Sequence, residues 1–135
     1  MLDVKKILYP IDLDAIEGSL VKDVLSIALQ FDAELHFLFV NDEKASYRQA
    51  YNHEDDVALA VKESIPFELL QKVKASFAVS GGDLGEQVAN YCSDKKMDLI
   101  IAGKSHHSNL YMTFFGTQEE ELVNLAPVPV LILPT

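Results

Sequence analysis

The first apolar run, Ile7 to Ile11, follows two lysines and carries Pro10 near its end. That is the pattern of a buried strand that is stopping, because proline has no N–H to give to a ladder. A helix should follow. Asp14 can cap it, and Glu17, three residues on, completes a capping box. Ile16, Leu20, Val24, Ile27 and Phe31 then recur at helical spacing and predict one apolar stripe. Leu35 to Val40 (LHFLFV) is almost wholly apolar and aromatic, which predicts a second strand covered on both faces. The polar stretch Asn41 to Glu54 has no periodicity and reads as a long, mobile loop.

From about Asp55 to Lys74 a weak helical pattern is broken at Ile65-Pro66, since the residue before a proline is pushed out of helical conformation. Ser76 to Ser80 (SFAVS) predicts a third strand, ended by Gly81-Gly82. Asp83 and Glu86 then form a second capping box, and the helix behind them turns Leu84, Val88, Tyr91 and Cys92 inward. Asp98 to Gly103 (DLIIAG) is a fourth strand that ends on glycine. A loop leads to another helix starting near Thr117, and Val128 to Leu133 closes the chain as a fifth strand. Strands alternating with helices at this spacing predict an α/β domain with a mainly parallel sheet. With no internal repeat and no linker, residues 1–135 read as a single domain.

Composition narrows the functional classes. A chain of 135 residues with 49% hydrophobic and 24% charged content has enough apolar mass for one core. Acidic residues outnumber basic ones 21 to 11, for a net charge of -10. A surface that negative repels nucleic acid and anionic lipid, so neither is an expected partner. No segment approaches the roughly 20 apolar residues of a membrane span, and Met1 to Lys6 carries no signal-peptide run. A single cysteine, Cys92, on the apolar stripe of its helix, reads as a packed thiol. A reduced, cytoplasmic protein is expected.

In an open parallel sheet, ligands bind beyond the carboxyl ends of the strands, where neighbouring crossovers leave on opposite faces. The strand exits are Asp12, Val40-Asn41 and Gly103. After the fourth strand the chain reads Gly103-Lys104-Ser105-His106-His107-Ser108-Asn109-Leu110-Tyr111-Met112-Thr113-Phe114-Phe115-Gly116-Thr117. A glycine leaves a strand, and a second glycine with a hydroxyl residue stands directly before a helix, where free N–H groups can hold an anion. Here the sequence resembles the universal stress protein family, whose nucleotide-binding members carry G-x2-G-x9-G-[ST] at this place. Gly103, Gly116 and Thr117 match without a gap, and His106 stands where the family has its second glycine. The resemblance extends to ILYPID, HFLFV, the GGD turn and the ending APVPVLIL.

The resemblance implies a doubly wound five-stranded sheet in the order 3-2-1-4-5, with helices on both faces. It also implies a homodimer paired through residues 128–133 and an ATP, ADP or AMP ligand, with Mg²⁺ accompanying a triphosphate. Asp12 would accept a hydrogen bond from the adenine edge, with Pro10 and Ile11 beside it. Val40 would pack against the base, and Ala102 and Gly103 would lie near the ribose. The Gly116 and Thr117 amides, with the Thr117 hydroxyl, would bind phosphate.

Other readings stand beside these. Thr117 with Glu120 makes a capping box, which accounts for its hydroxyl without any phosphate. Glu119-Glu120-Glu121 suit a helix N-terminus yet repel a polyphosphate within the Debye length of about 8 Å; Lys104, a protonated His106 or His107, or magnesium would offset this. A side chain at His106 blocks close backbone approach, but an imidazole can itself donate to phosphate. His106-His107 lack a spaced third ligand, so two exposed loop histidines are expected there rather than a metal site. Asp12 and Asp14 do not make a receiver-type phosphorylation pocket, because the third strand ends in Ser80-Gly81-Gly82 without an aspartate. No G-x-S-x-G elbow or obvious general base for γ-phosphate attack is present, so at most slow hydrolysis is expected. Two functions remain: a nucleotide-binding stress-response dimer that signals through other proteins, or a dimer that works by protein contacts alone.

Overall fold

The computed structural model describes residues 3–13, 16–41, 53–103 and 127–134. Among them, five strands form one sheet: β1 (Lys6–Pro10), β2 (Glu34–Asn41), β3 (Lys74–Gly81), β4 (Leu99–Gly103) and β5 (Val130–Leu133). The order is β3-β2-β1-β4-β5 with every pairing parallel, as the resemblance implies. Parallel neighbours need long crossovers, and those among the described residues are helical. They are α1 (Gly18–Phe31), α2 (Glu54–Ser64) with the short α3 (Phe67–Gln71), and α4 (Leu84–Lys95).

Side-chain alternation assigns the faces. Ile7 and Tyr9 of β1, Leu35, Phe37 and Phe39 of β2, and Leu99 and Ile101 of β4 pack with α1, α2 and α3. Leu8, Leu38, Val40, Ile100 and Ala102 point the other way, toward Val88 and Cys92 of α4. Burial on both faces explains why these strands read as continuous apolar runs rather than alternating ones.

The helices depart from expectation in instructive places. The capping box on Asp14 and Glu17 does not start α1. Glu17 is itself the N-cap, extended and without a side-chain cap bond, and the helix begins at Gly18; Asp14 lies outside the described residues. Packing restricts this first position, because a Cβ at Gly18 would stand 2.9 Å from the Ser64 carbonyl oxygen, so glycine allows this approach to the end of α2. The buried stripe is also rotated: Leu20, Val21, Val24, Leu25 and Ala28 are buried, Ile16 and Ile27 only partly, and Phe31 is 47% exposed.

Ile65-Pro66 breaks the second helical region as its sequence predicts, and α3 ends at Gln71, so that β3 starts at Lys74, opposite Glu34. Asp83 accepts from the Glu86 N–H (3.1 Å), half of the capping box expected there. The sequence reading missed the cap of α2, where His53 Nδ1 accepts from the Asp55 N–H and the Asp56 carboxylate accepts from the His53 N–H. The expected loop over 41–54, apart from its two ends, and the helix near Thr117 lie outside the described residues.

Both α1 and α4 stop on a left-handed residue, Asp32 (φ 52°) and Lys96 (φ 56°). In each case the next amide reaches back over the last turn, Ala33 to the Ala28 carbonyl (2.9 Å) and Met97 to the Cys92 carbonyl (3.0 Å). Ala33 and Met97 are buried, so the turn steers the chain straight into the following strand. Asp tolerates this conformation better than Lys. Replacing Lys96 by glycine should therefore stabilise the protein by about 0.5–1 kcal/mol, read as a higher urea midpoint at an unchanged m-value.

Candidate functional site

The strand order reverses direction at β1. The chain moves from β1 to β2 and β3 on one side, then crosses by α4 to β4 on the other. Crossovers therefore diverge at the carboxyl ends of β1 and β4, the place where open sheets of this kind leave a crevice.

Several of the residues singled out from the sequence reach this end of the sheet. Pro10 closes β1 and is the register partner of Leu38. The N–H of Ile11 donates to the Leu38 carbonyl (2.9 Å), which carries the chain one residue past the strand and leaves Asp12 half-buried at the exit. Val40 lies one residue before the end of β2, and Ala102 and Gly103 close β4; all three are buried. Val40 and Ala102 share the face that α4 covers, whereas Ile11 belongs to the opposite core. His106, Gly116 and Thr117 lie outside the described residues.

Two features at this end were not anticipated. Tyr9, one strand residue before Pro10, is buried with its ring edge-on to Phe37. Burial, then the nearby carboxylates of Glu17 and Asp12, push the pKa of its phenol well above the ordinary value. The hydroxyl therefore keeps its proton as a donor on the side where those carboxylates lie. A lone tyrosine in an otherwise aliphatic run was the available signal, since a buried phenol usually finds a polar neighbour.

The second feature is the turn from β3 into α4. The Gly82 N–H donates to the Asn41 carbonyl (3.1 Å), and the Ser80 hydroxyl donates to Gln87 Oε1 (2.6 Å). Gly82 has φ +130°, and a Cβ there would meet the Gln87 amide at 3.0 Å. Glycine thus fastens the start of α4 to the exit of β2, next to Val40. Among the described residues, no three or more His, Cys, Asp or Glu side chains are grouped to hold a metal.

The model of the universal stress protein family matches residues 3–134. The chain belongs to the universal stress protein family. Universal stress protein MJ0531 of Methanocaldococcus jannaschii is 25% identical over 138 residues, covering 96% of this chain and 81% of that protein. The solved structure of hypothetical protein MJ0577, determined to assign its biochemical function, is 26% identical with a TM-score of 0.64, over 98% of this chain and 97% of that one. A universal stress protein in complex with cAMP shares the fold at 14% identity, with a TM-score of 0.64 and 98% of each chain covered. Among the described residues of this family member, no helix is long and apolar enough to cross a membrane.

Cys92 faces inward from α4, and burial raises its thiol pKa to about 11. It is therefore a neutral packing group at physiological pH. At pH 8 the native protein should react with a disulfide reagent far more slowly than the urea-unfolded chain, followed as released thiolate. Equal rates would mean that the thiol reaches solvent in the native fold.

Proposed function

We propose that this universal stress protein binds an adenine nucleotide at the carboxyl ends of β1, β2 and β4 and acts in the cytoplasm as a stress-response homodimer that signals through other proteins. The observation that carries the proposal is the gathering of Asp12, Val40 and Ala102-Gly103 at adjacent strand exits, where the sheet reverses. These side chains suit a nucleoside. Val40 offers an apolar surface to a base, a half-buried carboxylate at Asp12 can accept from an exocyclic amine, and Ala102 and Gly103 are small enough to let a sugar approach the backbone. The phosphates would lie toward Gly116 and Thr117, with His106 as an additional donor. The cAMP complex of a family relative agrees with an adenine ligand. ATP, ADP and AMP all fit the reading, with Mg²⁺ accompanying a triphosphate.

The chain's own residues do the binding and orienting. Asp12 would select the adenine edge and Val40 would exclude water from the base, while Tyr9 keeps its hydroxyl protonated through burial and the influence of Glu17 and Asp12. No step of hydrolysis is assigned to them. For the dimer, β5 is an edge strand of the sheet, and Leu131 upon it is 37% exposed. An edge that pairs across a two-fold axis would bury both its open ladder and this apolar side chain.

A second reading, a protein-contact dimer without nucleotide, is favoured by the sequence run Glu119-Glu120-Glu121 after Thr117 and by His106 at the second glycine position. One experiment separates the two. Nucleotide released by heat from protein purified without additions would be identified by mass, and the emptied protein titrated calorimetrically with ATP and Mg²⁺. Micromolar binding is expected. Asp12→Ala should weaken it by about tenfold, and Gly116→Trp should abolish it while light scattering still reports a dimer. An empty protein indifferent to millimolar ATP would select the second reading.

A further inference from the structure

The α4 side of the sheet holds a polar group that neither nucleotide binding nor pairing of β5 uses. His36, on β2, is the one charged or polar residue among the described ones that is buried, at 8% exposure. Its Nδ1 lies 2.8 Å from the Tyr91 hydroxyl on α4, and the rings meet edge-on with centroids 5.8 Å apart. Its Nε2 is buried without a hydrogen-bond partner. The nearest carboxylate, Glu34 on the same strand, stands 3.6 Å away, just beyond hydrogen-bond length, on a side chain 45% exposed and so able to move. A buried imidazole nitrogen left unpaired beside a mobile carboxylate is an unfavourable arrangement that a proton would change.

The groups around the ring can be named element by element. Glu34 on β2 favours the imidazolium, while Lys6 on β1 and Lys95 on α4 oppose it. On β3 the register partner of His36 is Ser76, which does not titrate, and that of Glu34 is Lys74. Lys6 is also a register partner of Glu34, and its Nζ donates to the Lys95 carbonyl (3.1 Å). Thus Lys6 ties the last turn of α4 to the same strand starts. Burial is the largest effect and lowers the His36 pKa below 6.5.

We propose that His36, Tyr91 and Glu34 form a proton-operated latch between strand β2 and helix α4. In the neutral state the carboxylate selects the Nε2–H tautomer, so Nδ1 accepts from the Tyr91 O–H. On acidification one proton from solvent adds to Nδ1. That nitrogen becomes a donor, the Tyr91 oxygen must accept, and the Tyr91 hydrogen turns away to another acceptor. At the same time Nε2–H⁺ attracts Glu34 across the present gap. The hydrogen bond between β2 and α4 therefore reverses direction, and both of its partners must reorganise.

The sign of the linked stability follows from the lowered pKa. The unfolded chain takes up its proton near 6.5, the native protein only below that. Stability contributed by neutral His36 is complete above 6.5 and is lost as pH falls from there through the native pKa. The last turn of α4, which ends at Lys95 and feeds Met97 into β4, is the segment that should loosen.

The test is imidazole NMR on the full chain between pH 4.5 and 8, with amide hydrogen exchange measured in parallel and corrected for intrinsic rates. The His36 ring should show the Nε2–H tautomer at neutral pH and a midpoint below that of the same histidine in the urea-unfolded chain. Exchange at residues 91–97 should accelerate through the His36 midpoint. Glu34→Gln removes a half-exposed carboxylate without touching the core and should move that midpoint to lower pH. Tyr91→Phe should uncouple exchange at 91–97 from the His36 titration. A midpoint equal to that in the unfolded chain, an Nδ1–H tautomer, no shift in Glu34→Gln, or exchange at 91–97 that is flat in pH would each overturn the latch. His36→Gln, where it folds, should make exchange there independent of pH.

Discussion

The structure depends on burying both faces of the central strands β2, β1 and β4. Ile7, Leu8, Leu35, Phe37, Leu38, Ile100 and Ile101 keep almost no surface in contact with water. Parallel strands cannot be joined by tight turns, so each needs a crossover, and crossovers of one hand reach the two faces only if the chain reverses its direction across the sheet. Here α1, α2 and α3 cover one face before that reversal and α4 covers the other after it. The divergence of chain at the exits of β1 and β4 is therefore a by-product of covering the core. The small residues Ala102 and Gly103 stand where that divergence leaves room.

The same burial sets the proton states of the polar groups inside. Tyr9 on one face keeps its phenolic proton because the anion would lose water and face Glu17 and Asp12. His36 on the other face stays neutral because the cation would lose water and face Lys6 and Lys95. The two sit toward opposite ends of the strands, Tyr9 near the exit of β1 and His36 near the start of β2. A ligand at the exits and a proton at the strand starts would therefore act on the same rigid sheet through different ends.

Among the described residues, the strand starts mix both signs, with Glu34 and Asp98 beside the lysines. Lys5, Lys6 and Lys74 lie at strand starts, and Lys95 and Lys96 lie at the carboxyl end of α4, where cations suit the helix dipole. Asp12 and Glu17 follow β1, and Asp83 and Glu86 open α4 on the exit end. Among the described residues, the side chains that follow β1 and open α4 on the exit end are thus acidic.

What the sequence determined by itself was whatever depends on neighbours along the chain. The unbroken apolar runs at 7–11, 35–40 and 99–102 specified strands buried on both faces, and Pro66, Gly82 and Asp83 marked a break, a turn and a cap. The strand exits, and with them Asp12, Val40 and Gly103, were legible because strand ends can be read from the same pattern. Tertiary structure decided what depends on distant partners. α1 begins at Gly18 behind the N-cap Glu17, where any Cβ would crowd the distant Ser64 carbonyl. Lys96 takes a left-handed conformation because Met97 must enter the core. His36 and Tyr91 are 55 residues apart, and nothing local marks them as a pair. Periodicity reports which face a residue takes, but the identity of the neighbour across that face is set only when the crossovers have packed the strands and helices together.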